Sequence, residues 1–403
     1  MKIAATARRS FGREAVGASG SVVTREFDFV LASIRRFFRP ELPIPSKEGL
    51  DWKVVLELAD RHSVGEFLRS ACDPPTLTDR GLKTARSNLA LSAELVKLAD
   101  LFKQEKIDVV PLKGPVLGAA LYQDKVLKAS SDMDLLVRPS DALRAKRLLE
   151  SIGYCLLTVP HWPSEKGYLR NVNDELAFRD SGFWLKLDLH WSLLPGYFPS
   201  PFEDATMWAN LRSVPWGNTR MQTLSAEQQL MFLCAHGVKH LWARLGWLCD
   251  LGRLIQVEPR IEWSQIFDQT RRTHTTRMVL LSLLLADNLL GVDLPPAAAA
   301  LVDADPQAAV LAAVVLERLR TDRPASTVAT AFFCVRALER TRHRARLVFG
   351  MFFQPTEAEY RVLQMPPSMY WIYYAFRPLR LAAKYARRLS GLRDRRALQA
   401  RKI

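Results

Sequence analysis

The stretch 109–137 constrains this chain most, because it contains two aspartates two positions apart. It begins with a short apolar run of strand type, which Lys113-Gly114-Pro115 interrupts. A helical segment follows, and 132–137 then predicts a second strand. Side chains of a strand alternate between its two faces, so Asp132 and Asp134 share one face. A rise of about 3.3 Å per residue puts their Cα atoms about 7 Å apart, which lets both carboxylates reach one cation.

Carboxylates this close resist being ionised together unless a positive charge lies between them. A Mg²⁺ ion held by one or two carboxylates and by substrate phosphates is the usual solution. A glycine between a strand and a helix lets backbone N–H groups approach a phosphate, and the helix N-terminus adds a favourable potential. The pattern therefore predicts a triphosphate site at Gly114 followed by a metal-binding pair. The alternative is an ordinary strand-turn-helix-strand unit with an acidic edge.

These residues resemble a known signature. Gly114 followed at a distance by Asp132-Met133-Asp134 is similar to the DNA polymerase β-type nucleotidyltransferase superfamily, which has a Gly-Ser turn, a helix and Asp-x-Asp on the next strand. More narrowly, the chain resembles the uncharacterised bacterial nucleotidyltransferase family, which is met in exopolysaccharide and ribosomal-peptide gene neighbourhoods. The narrower resemblance covers about 50–296 and rests on Leu112-Lys113-Gly114, Leu121-Tyr122 and Ser131-Asp132-Met133-Asp134-Leu135-Leu136-Val137.

The resemblance implies a role for each matching position. Asp132 and Asp134 would bind Mg²⁺ or Mn²⁺, while Gly114 and Ser131 would contact the nucleotide. Lys113 is expected to add a point charge on phosphate, the alternative being a solvated turn lysine. Pro115 departs from the superfamily pattern, since serine is usual there and both a hydroxyl and an N–H are absent.

A third carboxylate is predicted on a later strand. In Leu185-Lys186-Leu187-Asp188-Leu189-His190 the leucines face a core and the polar residues face the other side. Asp188 could complete the metal site or accept the proton of an attacking hydroxyl, and the resemblance places it there too. Glu175, on the preceding strand, is the alternative. His190 would orient substrate, assist proton transfer or serve only the structure.

A helix is expected to begin at Ser225, and the segment Leu230 to Ile255 is apolar at helical spacing and carries two further candidates, Lys239 and His240. We expect this helix to lie over the nucleotide or acceptor cleft, with one of these side chains near the phosphates. His236 and His240 also have the i, i+4 spacing of zinc ligands. However, Gly237 stands where a metalloprotease His-Glu-x-x-His motif has its glutamate. The remaining alternative is that these residues only pack.

The net charge of +15 is concentrated at the two ends of the chain. Residues 1–39 carry a net charge of +5 and residues 377–403 a net charge of +9, so the part between them is nearly neutral. The basic, partly amphipathic C-terminal tail would lie on an anionic membrane surface, dock a partner, touch nucleic acid nonspecifically or remain a solvated helix. No specific nucleic-acid partner is expected, because the core lacks a basic groove.

The five cysteines show no paired spacing, which predicts buried thiols in a reducing compartment. No apolar run reaches the ~20 residues that a membrane span needs. We therefore expect a cytoplasmic protein, with attachment to the inner face of the membrane through the tail as the alternative.

The predicted fold class is α/β (α+β), with a small mixed sheet of polymerase β-type nucleotidyltransferase fold and large helical additions. Five segments are expected: a basic disordered leader (1–45), an N-terminal helical segment (46–108), the catalytic core (109–215), a C-terminal helical domain (216–360) and a basic amphipathic tail (361–403). A short helix is expected at 27–38 within the leader.

The predicted reaction is transfer of a nucleoside monophosphate from an NTP to a hydroxyl or similar acceptor, with Mg²⁺ and release of pyrophosphate. The sequence names neither the base nor the acceptor. The alternatives are an inactive nucleotide-binding or regulatory protein, which Pro115 favours, and a membrane-peripheral accessory protein of polysaccharide or peptide biosynthesis.

Overall fold

The structure is a computed structural model, and it consists of a small mixed sheet surrounded by helices. It describes residues 23–69, 75–122, 130, 132–157, 175–182, 185–202, 204–216, 219–321 and 325–400. This confirms the predicted fold class. The five strands of the main sheet are β1 (Val109–Pro111), β2 (Asp132–Val137), β3 (Cys155–Leu156), β4 (Glu175–Arg179) and β5 (Lys186–His190).

The main sheet has the strand order β1-β2-β5-β4-β3. Strands β2 and β5 are parallel, while the other three neighbouring pairs are antiparallel. Two strands that are distant in sequence therefore lie side by side at the centre of the sheet and run in the same direction.

Among the described residues, six helices precede or interrupt the sheet: α1 (Val23–Phe38), α2 (Trp52–His62), α3 (Gly65–Leu68), α4 (Pro75–Gln104), α5 (Gly114–Tyr122) and α6 (Ala142–Ser151). Helix α1 contains the helix predicted at 27–38. Its Phe27, Val30 and Ile34 side chains are fully buried in the larger hydrophobic core. Part of the predicted leader is thus an integral element of the fold, while residues 1–22 lie outside the described chain.

The rest of the described chain is mainly helical. After α7 (Asp204–Ala209) and the hairpin of β6 (Arg212–Trp216) and β7 (Thr219–Thr223), it comprises α8 (Ala226–Lys239), α9 (Leu245–Val257), α10 (Trp263–Thr273), α11 (Thr276–Leu285) with a π-helical turn (Ala286–Leu290), α12 (Pro296–Asp303), α13 (Pro306–Thr321), α14 (Thr327–Ala337), α15 (Thr341–Phe352), α16 (Glu357–Val362), a 3-10 turn (Pro367–Met369) and α17 (Ile372–Ala400).

The two faces of the main sheet meet different surroundings. On one face, Met133, Leu135, Leu187 and Leu189 pack in a core shared with residues of α4 and α6. The other face carries the alternate residues of β2 and β5, including the predicted site, and faces the helices that follow the sheet. The strand alternation read from the sequence is therefore confirmed for both strands.

Several predicted elements differ in detail from the structure. The hairpin of β6 and β7 was not expected, because the strand signal ends near residue 195. The helical stretch at 225–255 is two helices, α8 and α9, and the later helices α12 and α13 meet at an angle of 87°. Proline at 306 begins the second of these, since proline suits a first helical turn but not a helix interior.

The expectation of buried thiols is correct for Cys234, Cys249 and Cys334 but wrong for Cys155, which is exposed at the sheet edge. Cys72 lies outside the described residues. In the described part of the chain, no single helix is long and apolar enough to cross a membrane, although the bent pair α12 and α13 together meet those two criteria.

Candidate active site

The parallel pairing of β2 with β5 brings the predicted carboxylates together. Asp134 on β2 pairs directly with Asp188 on β5. Two residues earlier on each strand, and on the same face of the sheet, Asp132 pairs with Lys186. Asp134 is 8% exposed and Asp188 is 6% exposed, because helices cover this face of the sheet. The carboxylates therefore converge in a partly desolvated site rather than at a solvent-exposed edge.

Two lysines neutralise this acidic site. The Nζ atom of Lys113 lies 3.6 Å from Oδ1 of Asp134. Lys186 donates a 2.6 Å hydrogen bond to Oδ2 of Asp188 and lies 3.8 Å from Oδ2 of Asp132. Burial alone would lower the pKa of Lys186, but its hydrogen bond to Asp188 and the nearby carboxylates raise it overall. Lys186 therefore remains cationic beside the carboxylates.

His190 links two of the acidic side chains. Its Nε2 atom lies 3.2 Å from Oδ1 of Asp134, and its Nδ1 atom lies 3.4 Å from Oε2 of Glu175. Glu175 and His190 are direct partners in the antiparallel pairing of β4 with β5. The alternative third carboxylate, Glu175, thus belongs to the same site, where it can hold the imidazole ring in place.

Asp132 and Asp134 have opposite electrostatic environments although they are two residues apart. For Asp134, burial opposes ionisation, but Lys113 and His190 outweigh it and hold the pKa well below its usual value. For Asp132, burial and the charge of Asp134 raise the pKa, and Lys186 offsets this only in part. The two acids therefore differ in how readily they hold a proton.

The turn that precedes α5 requires glycine. Gly114 has a φ of +70°, in the left-handed region that other residues rarely adopt. A Cβ atom there would lie 3.4 Å from the backbone oxygen of Asp132. The first turn of α5 has backbone N–H groups without helical partners, and Pro115 lacks one of them. The backbone of this turn thus passes close to the first aspartate.

Helices α8 and α9 hold the turn and α5 in place. Gln229 of α8 donates a hydrogen bond to the carbonyl oxygen of Leu112, at 3.4 Å. The Oη atom of Tyr122, at the end of α5, donates to Oδ1 of the buried Asp250 in α9, at 3.1 Å. These contacts fix the distance between the sheet and the helices, which leaves a cavity between them.

The cavity has a volume of about 570 Å³. Its lining combines carboxylates, cationic side chains, histidines and aromatic rings, and it includes every described residue of the predicted site: Lys113, Gly114, Asp132, Asp134, Asp188, Lys239 and His240. Helix α8 ends at the cavity, so its Lys239 lines the space between the sheet and the helices. Ser131 lies outside the described residues.

A match to a family model shows to which protein family this chain belongs. The family is described as an uncharacterised nucleotidyltransferase, and its model matches residues 48–291. The chain belongs to this uncharacterised nucleotidyltransferase family. The match confirms the resemblance seen in the residues around Gly114 and Asp132-Met133-Asp134. No curated protein and no solved structure shows a significant match to the chain.

A nucleotidyltransferase of this kind implies a divalent cation, so the donor set must suit one. Asp134 and Asp188 supply carboxylate oxygens from adjacent register positions, and oxygen is the donor that Mg²⁺ prefers. Oδ1 of Asp188 is buried and has no hydrogen-bond partner within the described chain. Lys113 and Lys186 lie where a cation would otherwise balance the charge. The donor atoms are therefore of the kind that a hard divalent ion prefers.

As arranged, the described residues contain no group of three or more His, Cys, Asp or Glu side chains that could hold a metal ion. The lysines lie among the carboxylates instead, so a nucleotidyltransferase site with three metal ligands would require Lys186 to leave Asp188. This finding also gives no support to a zinc site at His236 and His240, although both line the cavity.

Sequence reasoning missed several residues of the nucleotidyltransferase cavity. Lys186 was read only as part of an alternating strand, and its contact with Asp132 depends on the pairing of β5 with β2. Arg244, Trp247 and Asp250 enter the cavity only because the chain reverses between α8 and α9. No local motif marks these residues, so the available signal was only their place in the segment 225–255.

Proposed function

We propose that this protein transfers a nucleoside monophosphate from an NTP to a hydroxyl or similar acceptor and releases pyrophosphate. The acceptor oxygen would form a bond to the α-phosphorus, and the bond from that phosphorus to the bridging oxygen of the β-phosphate would break. The acceptor proton must leave as the new bond forms. A bound Mg²⁺ or Mn²⁺ would supply Lewis-acid stabilisation of the charge that develops on the leaving group.

Each group of the site has a role in this proposal. Asp132, Asp134 and Asp188 would hold the cation, and Asp188 would also accept the proton of the acceptor. The Gly114 turn and the first turn of α5 would bind the triphosphate, with Lys113 as a positive charge beside it. Ser131, Lys239 and His240 are proposed as further nucleotide contacts. His190 would keep the Asp134 carboxylate oriented.

One observation carries the proposal: Asp134 and Asp188 are register partners on parallel strands and face a cavity that the Gly114 turn also lines. The family match supports nucleotidyl transfer in general terms.

Pyrophosphate release tests the proposal directly. The wild type, incubated with each NTP, Mg²⁺ and candidate acceptors, should release pyrophosphate, and Asp134→Asn should reduce turnover at least about 100-fold because charge stabilisation is lost. Unchanged turnover in that variant would refute the assignment. If the wild type shows Mg²⁺-dependent stabilisation by NTP in a thermal-shift assay but forms no product, the protein is a nucleotide-binding protein without turnover.

We propose in addition that the C-terminal helix attaches the protein to an anionic membrane surface. On α17 and just before it, Trp371, Ala375, Leu379, Ala382 and Ala386 are all exposed at helical spacing. Trp371 and Leu379 are each 68% exposed. An exposed apolar stripe on a helix within a segment of net charge +9 is typical of a helix that lies in a membrane interface.

Vesicle co-sedimentation tests this attachment. The wild type should bind phosphatidylserine vesicles and not phosphatidylcholine vesicles, and added salt should weaken the binding. Joint replacement of Trp371 and Leu379 by alanine should reduce binding at least about fivefold, whereas Leu89→Ala, which alters an equally exposed leucine on α4, should not. Equal binding by all three proteins would contradict membrane attachment through this stripe.

A further inference from the structure

Aromatic and imidazole rings form a continuous row along one wall of the cavity. The row consists of Phe232, His236 and His240 on or at the end of α8, together with Trp247 of α9, and we call it the ring wall. All four residues line the cavity. The proposed function uses none of these rings except His240, so the rest of the ring wall has no role assigned to it.

The rings of this wall contact one another in sequence. The ring centroids of Phe232 and His236 are 5.9 Å apart, and those of His236 and His240 are 4.6 Å apart. Trp247 closes the group, at 4.9 Å from His236 and 5.5 Å from His240. Because neighbouring rings support one another, the wall is a preformed surface rather than a set of independent side chains.

One end of the ring wall lies beside the proposed phosphate site. The Nζ atom of Lys113 is 5.6 Å from the centroid of the Phe232 ring, and it is also 3.6 Å from Oδ1 of Asp134. A ligand whose phosphates lie at Lys113 therefore has the ring wall as its neighbouring surface. At the other end, the guanidinium of Arg244 lies 5.7 Å from the Trp247 ring.

The wall is uncharged at its centre and contains a polar atom that lacks a partner. Burial, together with the charges of Lys113 and Lys239, lowers the pKa values of His236 and His240, the latter to about 3. Both imidazoles are therefore neutral at physiological pH, and each has one N–H donor and one ring-nitrogen acceptor. The Nε2 atom of His236 is buried without a hydrogen-bond partner among the described residues.

We propose that the ring wall binds the base of the NTP. A planar base can stack on such rings whatever its identity, because every base has a π-face. The partnerless Nε2 atom of His236 can then hydrogen-bond the edge of the base and favour some bases over others, since a buried polar atom disfavours a ligand that leaves it unpaired. This inference rests on the proposed function, because it assumes that the phosphates lie at Lys113 and Gly114.

Comparison of NTPs with inorganic triphosphate separates base binding from phosphate binding. Isothermal titration of the full chain with ATP, GTP, CTP, UTP and triphosphate, each with Mg²⁺, would give the affinities. Trp247→Ala should weaken binding of the NTPs about 10-fold and change triphosphate binding less than twofold. Trp247→Phe, which keeps a ring, should restore most of the affinity. Trp371→Ala removes a tryptophan outside the cavity and serves as the control.

A second variant tests the polar atom. His236→Phe keeps a ring but removes both ring nitrogens, so the affinity differences among the four NTPs should shrink while stacking is retained. Equal losses for NTPs and triphosphate in Trp247→Ala, or no loss for either, would overturn the base site. Absence of NTP and triphosphate binding by the wild type would instead overturn the proposed function, and the base site with it. Melting temperatures of all variants would establish that each is folded.

Discussion

Asp132 and Asp134 show how strongly two neighbouring acids can differ. A carboxyl whose pKa is depressed by folding stabilises the protein above its unfolded pKa, and this contribution is lost as the pH falls. A carboxyl whose pKa is raised by folding has the opposite effect, since its ionisation costs stability. Asp134 belongs to the first class and Asp132 to the second. At neutral pH, the ionised Asp132 carboxylate therefore lowers the stability of the fold, whereas the ionised Asp134 carboxylate raises it.

Asparagine substitutions should consequently shift the melting temperature in opposite directions. With EDTA at pH 7.5, Asp134→Asn should lower it by about 2–4 °C, because Lys113 loses its buried partner. Asp132→Asn should raise it by about 1 °C, a small effect because this side chain is 36% exposed and solvent screens its charge. Differential scanning calorimetry would measure both. Shifts of the same sign would contradict the assigned environments.

Gly114 offers a test of the phosphate site that is independent of charge. Gly114→Ala places a Cβ atom at a φ of +70° and beside the Asp132 carbonyl, so it should weaken triphosphate binding about tenfold. Gly291 has a φ of +72° but lies away from the cavity. Both substitutions should therefore cost about 1 kcal/mol of stability, but Gly291→Ala should leave triphosphate binding unchanged. Calorimetric titration compares the two, and equal binding losses would mean that strain alone explains the effect.

Site residues whose position depends on the backbone geometry of a few neighbouring residues were predictable from the sequence. Asp132, Asp134 and Gly114 were identified because strand alternation and the strand-turn-helix order act over a few residues. Asp188 followed from alternation within its own strand. The contact of Lys186 with Asp188 follows from i, i+2 spacing within β5, but its contact with Asp132 depends on which strands are neighbours. Sequence reasoning therefore found the acids and Lys113, but not Lys186 as the second cation of the site.

The reversal between α8 and α9 is the element that completes the cavity. Leu241 and Trp242 both have positive φ, an uncommon conformation for residues other than glycine. The reversal is held by the Trp242 ring, which is 1% exposed and packs directly against the backbone at Gly237. This packing directs His240 and Trp247 towards the same space, so the ring wall depends on a contact outside it.

Gly237→Ala should disrupt this reversal. Its Cβ atom would lie 2.3 Å from Cε2 of Trp242, which forces the indole or the helix to move. We expect a melting temperature at least about 2–4 °C lower and weaker NTP binding, measured by thermal shift with and without nucleotide. Gly65→Ala is the matched control, because nothing lies within 4 Å of its Cβ position. A wild-type response in Gly237→Ala would show that the reversal does not depend on this contact.

The elements that sequence reasoning missed share a physical cause. Strand β6 has Arg212, Ser213 and Pro215 at three of its five positions, and only Trp216 is buried, so it lacks the apolar alternation of a strand. Its existence depends on pairing with β7. The split of 225–255 was missed because apolar periodicity continues through the reversal. Helices and strands with a buried face were predictable, whereas elements defined by their partners were not.

For the molecule as a whole, the attachment of α17 depends on one buried carboxylate. Glu359 is fully buried and accepts hydrogen bonds from Arg377, at 3.1 Å, and from Arg380, at 2.6 Å. Burial opposes its ionisation, but Thr356 and the two arginines lower its pKa overall. At the start of α17, its basic side chains therefore point towards the rest of the protein, and its apolar stripe remains exposed.

Glu359→Gln should loosen α17 without affecting the active site. Removal of one partner from a buried ion network costs about 3–5 kcal/mol, so trypsin should cut within α17 markedly faster in the variant. NTP binding should be unchanged. Asp268→Asn removes one partner of an exposed pair with Arg271 and should leave the cutting rate as in the wild type. Equal cutting rates in all three proteins would mean that Glu359 does not hold the helix.

Helix α1 has a practical consequence for anyone who shortens this protein. The family match begins at residue 48, yet α1 ends at Phe38, buries Phe27, Val30 and Ile34, and donates from Arg35 to the carbonyl oxygens of Asn288 and Leu289. A fragment 48–403 should therefore aggregate during size-exclusion chromatography, while a fragment 23–403 should elute as a folded species. Truncation at the limits of the family match would remove a helix that packs into the hydrophobic core. The limits of an expressed fragment should therefore follow the packing of the chain.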